Sequence, residues 1–351
     1  VIDVGARYGF EPHWDVFGDQ ATLTGFEPDQ TECERLNREF ADKNRKFFPY
    51  ALHIDSRTAP FYITRFPDSC GCYKPNHHWV NRILEGDLLD VLKQSEIETH
   101  SLDSVAIKHD LGQIDFMKLD LEGGELDVLK GAEQLLRKSV WGLSVEVVFR
   151  ETHLDRPLFA DIDAYLRKLG FVLFDLDLNR QGRKALPQAR PEYSSSPPVG
   201  QVIWAQAIFL RDAVDEIRHP SNTTLQAGWN TERILKLASI MEIFNLRDCV
   251  AELLIESESS DLILPAEAAP LLDQLVPRLS WKQKAALGFF PFSDKSIPFA
   301  DYCQKMNEAV SFRGHPAHPA KESAAKKVLK MLLPTPVRRF LRERAKEYLI
   351  R

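Results

Sequence analysis

The chain has 351 residues, 44% hydrophobic and 27% charged, which gives apolar mass for a proper core and length for two domains. Its formal charge is −6, but residues 321–351 carry ten Lys/Arg against three Asp/Glu, which leaves −13 on the remainder. An acidic body disfavours nucleic-acid partners, no run of about 18 apolar residues predicts a transmembrane helix, and five scattered cysteines read as reduced thiols of a cytoplasmic protein.

The first residues, Val1-Ile2-Asp3-Val4-Gly5, already read as a core strand with no signal peptide ahead of them, which leaves the native N-terminus open. Further strands are expected at Ala21–Glu27, Phe47–Leu52, Phe116–Asp120, Gly142–Phe149, Phe171–Asp175 and Val202–Leu210. Between them Thr31–Lys43, Glu125–Lys138 and Pro157–Leu169 have helical composition, the last stopped by Gly170. This alternation predicts a Rossmann-like α/β domain over residues 1–212, a mostly parallel sheet with helices on both faces. Arg65–Asn81 and Asn179–Gly200, rich in Pro, Gly, Asn and Ser, are expected to be long loops. From 213 to 351 the pattern turns helical, with Ile234, Leu237, Ala238, Met241 and Phe244 on one face and a linker near His315–Lys321. No internal repeat is evident.

Three motifs carry chemistry. Asp3-Val4-Gly5-Ala6-Arg7-Tyr8-Gly9 follows the first strand, where a parallel sheet binds nucleotide-like ligands; Gly5 permits close backbone approach and Gly9 relieves the turn. A plain structural turn explains this motif alone equally well. About 20 residues on, Gly25-Phe26-Glu27-Pro28-Asp29 ends the next strand with a carboxylate placed to accept from both hydroxyls of a ribose. Together the two elements favour a nucleoside ligand over a solvated acidic turn. The third, Lys118-Leu119-Asp120-Leu121-Glu122-Gly123-Gly124-Glu125, sets carboxylates and a glycine pair at a strand end beside the first. Helix capping by acids accounts for Glu125 but poorly for Asp120.

These motifs, with Leu126-Asp127-Val128-Leu129-Lys130-Gly131-Ala132, Ser101-Leu102-Asp103, Ser144–Val147, Pro157-Leu158-Phe159 and Trp204–Leu210, resemble the FkbM-type methyltransferases over residues 1–212. The resemblance implies a seven-stranded class I methyltransferase fold and S-adenosyl-L-methionine as methyl donor. It also implies O-methylation of a sugar, glycan or natural-product hydroxyl. The candidate cofactor contacts are Asp3, Gly5, Ala6, Gly9, Glu27, Pro28 and Leu52. A hydroxyl acceptor needs a base within hydrogen-bond reach. Asp120 is the first choice, with Glu146 and His153 as alternatives, while Lys118 and Glu122 order the strand end. Two departures stand out: Arg7 where an Asn is common, and Cys70-Gly71-Cys72-Tyr73-Lys74-Pro75-Asn76 in place of a serine-rich loop.

That loop, continued by His77-His78, has zinc-type ligands, but C-x-C is tighter than the usual spacing and no second cysteine pair follows. A loop lining the acceptor site, with neutral thiols and no metal, fits better. Leu329, Leu332, Phe340 and Leu341 among the basic residues of the tail suit helices packing on the acidic body. They also suit peripheral contact with the inner face of a membrane. A homo-oligomer stays open. So do two other functions: a differently specific nucleoside-binding enzyme such as a dehydrogenase, disfavoured by the G-x-x-x-G spacing, and a non-catalytic scaffold docking a partner through the C-terminal helices.

Overall fold

The computed structural model describes residues 1–41, 44–185, 200–222, 225–226, 228–280, 283–284 and 297–311. The chain divides into two compact units, Val1–Phe244 and Asn245–Arg351. The expected linker near 315–321 and the basic stretch 321–351 lie outside the described residues.

The first unit is built on a seven-stranded sheet of β1 (Ile2–Val4), β2 (Leu23–Phe26), β3 (Arg45–Phe48), β7 (Phe116–Leu119), β8 (Gly142–Val148), β9 (Phe171–Gln181) and β10 (Gln201–Arg211). Its order is β3-β2-β1-β7-β8-β10-β9, with β10 alone running against the others. Every residue of β1, β2 and β8 is buried, as strands covered by helices on both faces must be. Each fully buried Val, Leu, Ile or Phe contributes about 1.5–3 kcal/mol. Strand order reverses at β1, which pairs parallel with both β2 and β7. That reversal opens a crevice at the carboxyl ends of the strands, where a ligand can enter. This is the Rossmann-like α/β architecture expected from the sequence.

The helices are α1 (Gln30–Glu39), α2 (His77–Val80), α3 (Leu102–His109), α4 (Glu125–Gly131), α5 (Glu133–Lys138), α6 (Phe159–Lys168), α7 (Ala213–Arg218) and α8 (Thr231–Ile243). Short side chains fix their starts. Asp29 caps α1 by accepting from Thr31 and Glu32 N–H. Asp103, on α3, accepts from Gln134 and Leu135 N–H at 3.0 and 3.1 Å and caps α5 from outside. The buried face of α8 includes Ile234, Leu237, Ala238 and Met241. Both α7 and α8 pack with this first unit.

Several elements differ from the sequence expectation. The strand read at Phe47–Leu52 is two, β3 and β4 (Ala51–Leu52), because Pro49 between them has no N–H to extend the ladder. β4, β5 (Thr58–Thr64) and β6 (Val91–His100) form a second, three-stranded sheet that hydropathy did not announce. Its long β6 is mostly solvated and so lacks an apolar stripe. The helix read at Glu125–Lys138 breaks at Ala132, after Gly131. A Cβ on Gly131 would lie 2.2 Å from the His53 carbonyl oxygen, so close packing on the end of β4 fixes the break. β9 runs on to Gln181 and takes up the start of the expected loop at 179–200, whose residues 186–199 lie outside the described ones.

In the second unit α9 (Arg247–Ser259), α10 (Pro265–Leu275) and α11 (Phe299–Ser311) are described. Val250, Leu253, Leu254 and Leu272 are buried, and Asp273 accepts from the Phe299 N–H at 2.7 Å, tying α10 to the start of α11.

Gly5 is the tightest point of the main sheet. Its φ is +87°, and a Cβ there would sit 2.0 Å from the Asp120 carbonyl oxygen. Gly112 also has positive φ, +69°, but open space around it. Gly5→Ala is expected to lower the unfolding free energy by about 2–5 kcal/mol, from left-handed strain plus a backbone clash. Gly112→Ala should lose only about 1–2 kcal/mol. Urea unfolding of both variants measures this; equal losses would mean the clash relaxes freely.

Candidate functional site

A cavity of about 720 Å³ opens over the carboxyl ends of β1, β2, β7 and β8. The segments Tyr50–His53, Pro67–Cys72 and Thr152–His153 close its sides. Of the ten residues singled out in the sequence, Gly5, Gly9, Glu27, Pro28, Leu52, Asp120, Glu146 and His153 line it together. Asp3 and Ala6 do not; they lie beneath the wall, 2% and 1% exposed.

The floor is built from main-chain contacts. Gly5 and Ala6 N–H both donate to the Phe26 carbonyl at 3.1 Å, and Asp120 N–H donates to Val4 at 3.1 Å, locking the ends of β1, β2 and β7 together. Gly9, φ +85°, leaves room for the Phe40 ring, 2.7 Å from where its Cβ would be. Glu27 is buried, and its Oε1 accepts from the Asp29 N–H at 2.8 Å. Burial raises its pKa against the pull of that bond and of Arg7. Arg7 stands 3.9 Å from each of Glu27, Asp29 and Asp68, and Tyr8 donates to Asp68 at 2.6 Å.

Lys118 lies between Asp3 and Asp120, its Nζ 3.4 Å from one and 3.6 Å from the other. Burial pushes the Asp3 carboxyl up to about 6 in spite of Lys118. Burial disfavours the Lys118 ammonium too, but Asp3, Asp120 and Glu11 outweigh it and raise its pKa. Asp120 is the open member, its side chain 41% exposed toward the cavity it lines.

Beyond Asp120 the chain turns sharply, with Glu122 at φ +55° and Gly123 at +124°. The Glu125 carboxylate holds this turn, accepting from Leu121 N–H at 2.9 Å and Gly123 N–H at 3.1 Å. Glu125 is buried and paired with Arg156 at 3.5 Å, and Arg156 reaches Glu146 at 3.2 Å on its other side. Burial holds the Glu146 carboxyl well above its usual range, and Glu122 and Asp120 add to the rise. Glu122 is pushed up to about 8 by burial, with Asp120 and Glu125 reinforcing and Arg156 opposing.

His153 is 1% exposed, and burial and Arg156 lower its pKa to about 3. Arg156 Nη1 lies 3.4 Å from His153 Nδ1. A guanidinium can only donate, so Nδ1 accepts and the neutral ring carries its proton on Nε2. His153 therefore presents a donor rather than a lone pair at that nitrogen.

The Cys70–Asn76 loop is stitched across the cavity mouth. Gly71 bridges Tyr62, Pro75 bridges His153, and Asn76 N–H donates to Thr152 at 2.9 Å. Thr64 N–H donates to the Cys70 Sγ at 3.4 Å, and burial with Asp127 pushes the Cys72 thiol up to about 11. Both thiols line the cavity, and among the described residues no three His, Cys, Asp or Glu side chains gather as a metal site. Tyr73 donates to Asp127 at 2.7 Å, with His53 Nε2 3.5 Å from the same oxygen. Sequence reasoning did not reach Arg156, Asp127 or His53 as part of the site. Their partners lie on other elements, and only the surplus of acids in Lys118–Glu125 hinted that a buried cation must answer it.

Residues 3–173 match the family model described as Methyltransferase FkbM domain. A crystal structure of methyltransferase FkbM from Methylobacillus flagellatus KT is similar at 16% identity and a TM-score of 0.33, covering 60% of this chain and 42% of that one. The chain thus spans less than half the length of that structure. No curated protein matches it. Among the described residues no helix is long and apolar enough to cross a membrane.

The raised Glu122 carboxyl makes a signed prediction. Folded Glu122 keeps its proton near neutrality while the unfolded chain has lost it, so this contribution to stability falls as pH rises toward about 8. His153, neutral in the fold but partly protonated in the unfolded chain near pH 6.5, is present in both proteins and cancels from their difference. Between pH 6.5 and 8, wild type should lose about 1–2 kcal/mol relative to Glu122→Gln, read from urea unfolding at each pH. A difference that stays constant across the window would show that Glu122 is already ionised.

Proposed function

We propose that the chain, whose residues 3–173 match the methyltransferase FkbM domain model, transfers a methyl group from S-adenosyl-L-methionine to a hydroxyl of a sugar, glycan or natural product. The catalytic domain spans 1–212 in this reading. The observation that carries it is the convergence of the glycine turn, Glu27 and Asp120 on one cavity at the strand-order reversal.

The residues present suit that cofactor. Glu27 lines the cavity with its Oε1 engaged by the Asp29 N–H, and its Oε2 has no protein partner among the described residues, so it can accept from ribose hydroxyls. The open Asp120 carboxylate at the end of β7 suits a cationic sulfonium. When bound, the cofactor supplies an electrophilic methyl carbon. This chain has then to hold the acceptor in line, exclude water and take a proton, and positioning supplies most of the rate.

Asp120 is the base in this proposal. It is the open carboxylate of the cluster, held by Lys118 from one side only. Glu146 is buried and tied to Arg156, and His153 has its proton on the wrong nitrogen. Their roles are to shape and polarise the acceptor pocket.

Two measurements check the reading. Glu27→Ala should abolish binding of S-adenosylhomocysteine by calorimetry, each lost charge-assisted hydrogen bond being worth about 1.5–3 kcal/mol. Unchanged affinity would remove Glu27 from the ribose. Asp120→Asn should keep that affinity within a few fold and lower turnover roughly 10²–10⁴-fold, scored as S-adenosylhomocysteine release over a panel of hydroxyl acceptors. Retained turnover would move the base to Glu146.

A further inference from the structure

Next to residues that line the β9–β10 end of the cavity, though not lining it themselves, two arginines lie over one buried indole and a third stands near them. Trp79 is 1% exposed, and the guanidinium carbons of Arg150 and Arg183 lie 6.0 and 5.3 Å from its ring centroid. Arg82 is brought to them by an antiparallel bridge between Ile83 and Arg183, in which Lys184 N–H donates to the Arg82 carbonyl at 3.0 Å. Arg150 follows Phe149, whose N–H donates to Ile203 at 2.8 Å. Ile83, Gln181 and Ile203, neighbours of these arginines, line the cavity wall.

Among the described residues no carboxylate pairs with Arg82, Arg150 or Arg183, although the protein has a large acidic surplus elsewhere. Arg183 donates through Nη2 to the Gln201 amide oxygen, while its Nη1 is buried without a hydrogen-bond partner. Burial, then Arg82 and Arg150, lower its pKa, the mark of like charges held together. Stacking on Trp79 holds two of the guanidiniums in place but satisfies none of their in-plane donors. Planar donors fixed in this way suit bidentate contacts to an oxyanion.

We propose that Arg82, Arg150 and Arg183 bind a phosphate carried by the acceptor, so that the methylated hydroxyl belongs to a phosphorylated saccharide. This rests on the methyltransferase reading above and narrows it: the arginines fix the phosphate on the β9–β10 side, and the sugar extends toward Asp120.

The test is calorimetric titration of the full chain at low salt with inorganic pyrophosphate, glucose 1-phosphate, UDP-glucose and glucose, in wild type, Arg183→Gln and the triple Arg82→Gln/Arg150→Gln/Arg183→Gln variant. Wild type should bind the phosphate-bearing probes and not glucose. Preference for UDP-glucose over glucose 1-phosphate would assign a diphosphate linkage, and the reverse a monoester. Arg183→Gln should weaken binding roughly ten-fold or more, and the triple variant should lose it. S-adenosylhomocysteine affinity should stay within a few fold in all three proteins, which also reports that the variants are folded. No phosphate binding by wild type, or binding that survives the triple variant, overturns the proposal. Failure of S-adenosylhomocysteine to bind wild type would strike the cofactor reading instead, whatever the phosphate result.

Discussion

Arg156 is the cation on which the rest of the site depends. It is buried between Glu125 and Glu146, and each of those carboxylates has a second task. Glu125 holds the Leu121–Gly123 turn that aims Asp120 and Glu122, and Glu146 stands on the cavity wall. A buried ion pair contributes little net stability, because desolvation consumes most of the attraction. Removing one partner is another matter, since it strands a charge, and that asymmetry makes Arg156 a constraint rather than a source of stability. It also reaches Thr152 and His153, so one guanidinium joins α4, β8 and the loop after β8.

The second constraint is steric. Gly5 against the Asp120 carbonyl and Gly131 against the His53 carbonyl are two places where backbone meets backbone with no room for a Cβ. The first brings β1 and β7 close enough for their ends to share one cavity. The second seats α4 on the end of β4 and places Asp127 near His53. The sequence suggested that Gly5 makes room for a ligand; the structure shows it first makes room for the neighbouring strand. Loss of cofactor binding on substituting Gly5 would therefore not locate a ligand, and Glu27 is the better probe.

Much of this was legible in the chain. The buried strands β1, β2, β7 and β8 announced themselves as short apolar runs, and the motifs at their ends named the part of the cavity wall those strand ends form. β6 was not legible, because a solvated strand such as Lys93–Glu98 has no hydrophobic period to read. Nor was the break at Ala132, since Leu126, Leu129 and Leu136 keep helical spacing across it and only the tertiary contact at Gly131 interrupts the helix. Asp3 and Ala6 belong to the glycine motif by sequence, yet both are buried beneath the wall, Asp3 within β1 and Ala6 in the turn after it. The arginines round Trp79 come from three separate segments, so no local pattern could have assembled them.

Charge is divided across the cavity as a result. The ends of β7 and β8 hold Asp120, Glu122, Glu125 and Glu146 against Lys118 and Arg156, while three arginines with no carboxylate partner among the described residues stand next to the residues of the β9–β10 wall without lining the cavity themselves. A phosphate brought to the acidic side would meet cations already engaged by carboxylates, with no free donor to receive it. Brought to the arginines, it meets unspent donors. On the proposed reading, an acceptor with one anionic group and one reactive hydroxyl would have a single favourable orientation, with the hydroxyl toward Asp120 and away from the charge. Specificity of this kind needs no close fit to the sugar ring, because the wrong orientation forgoes the arginine donors.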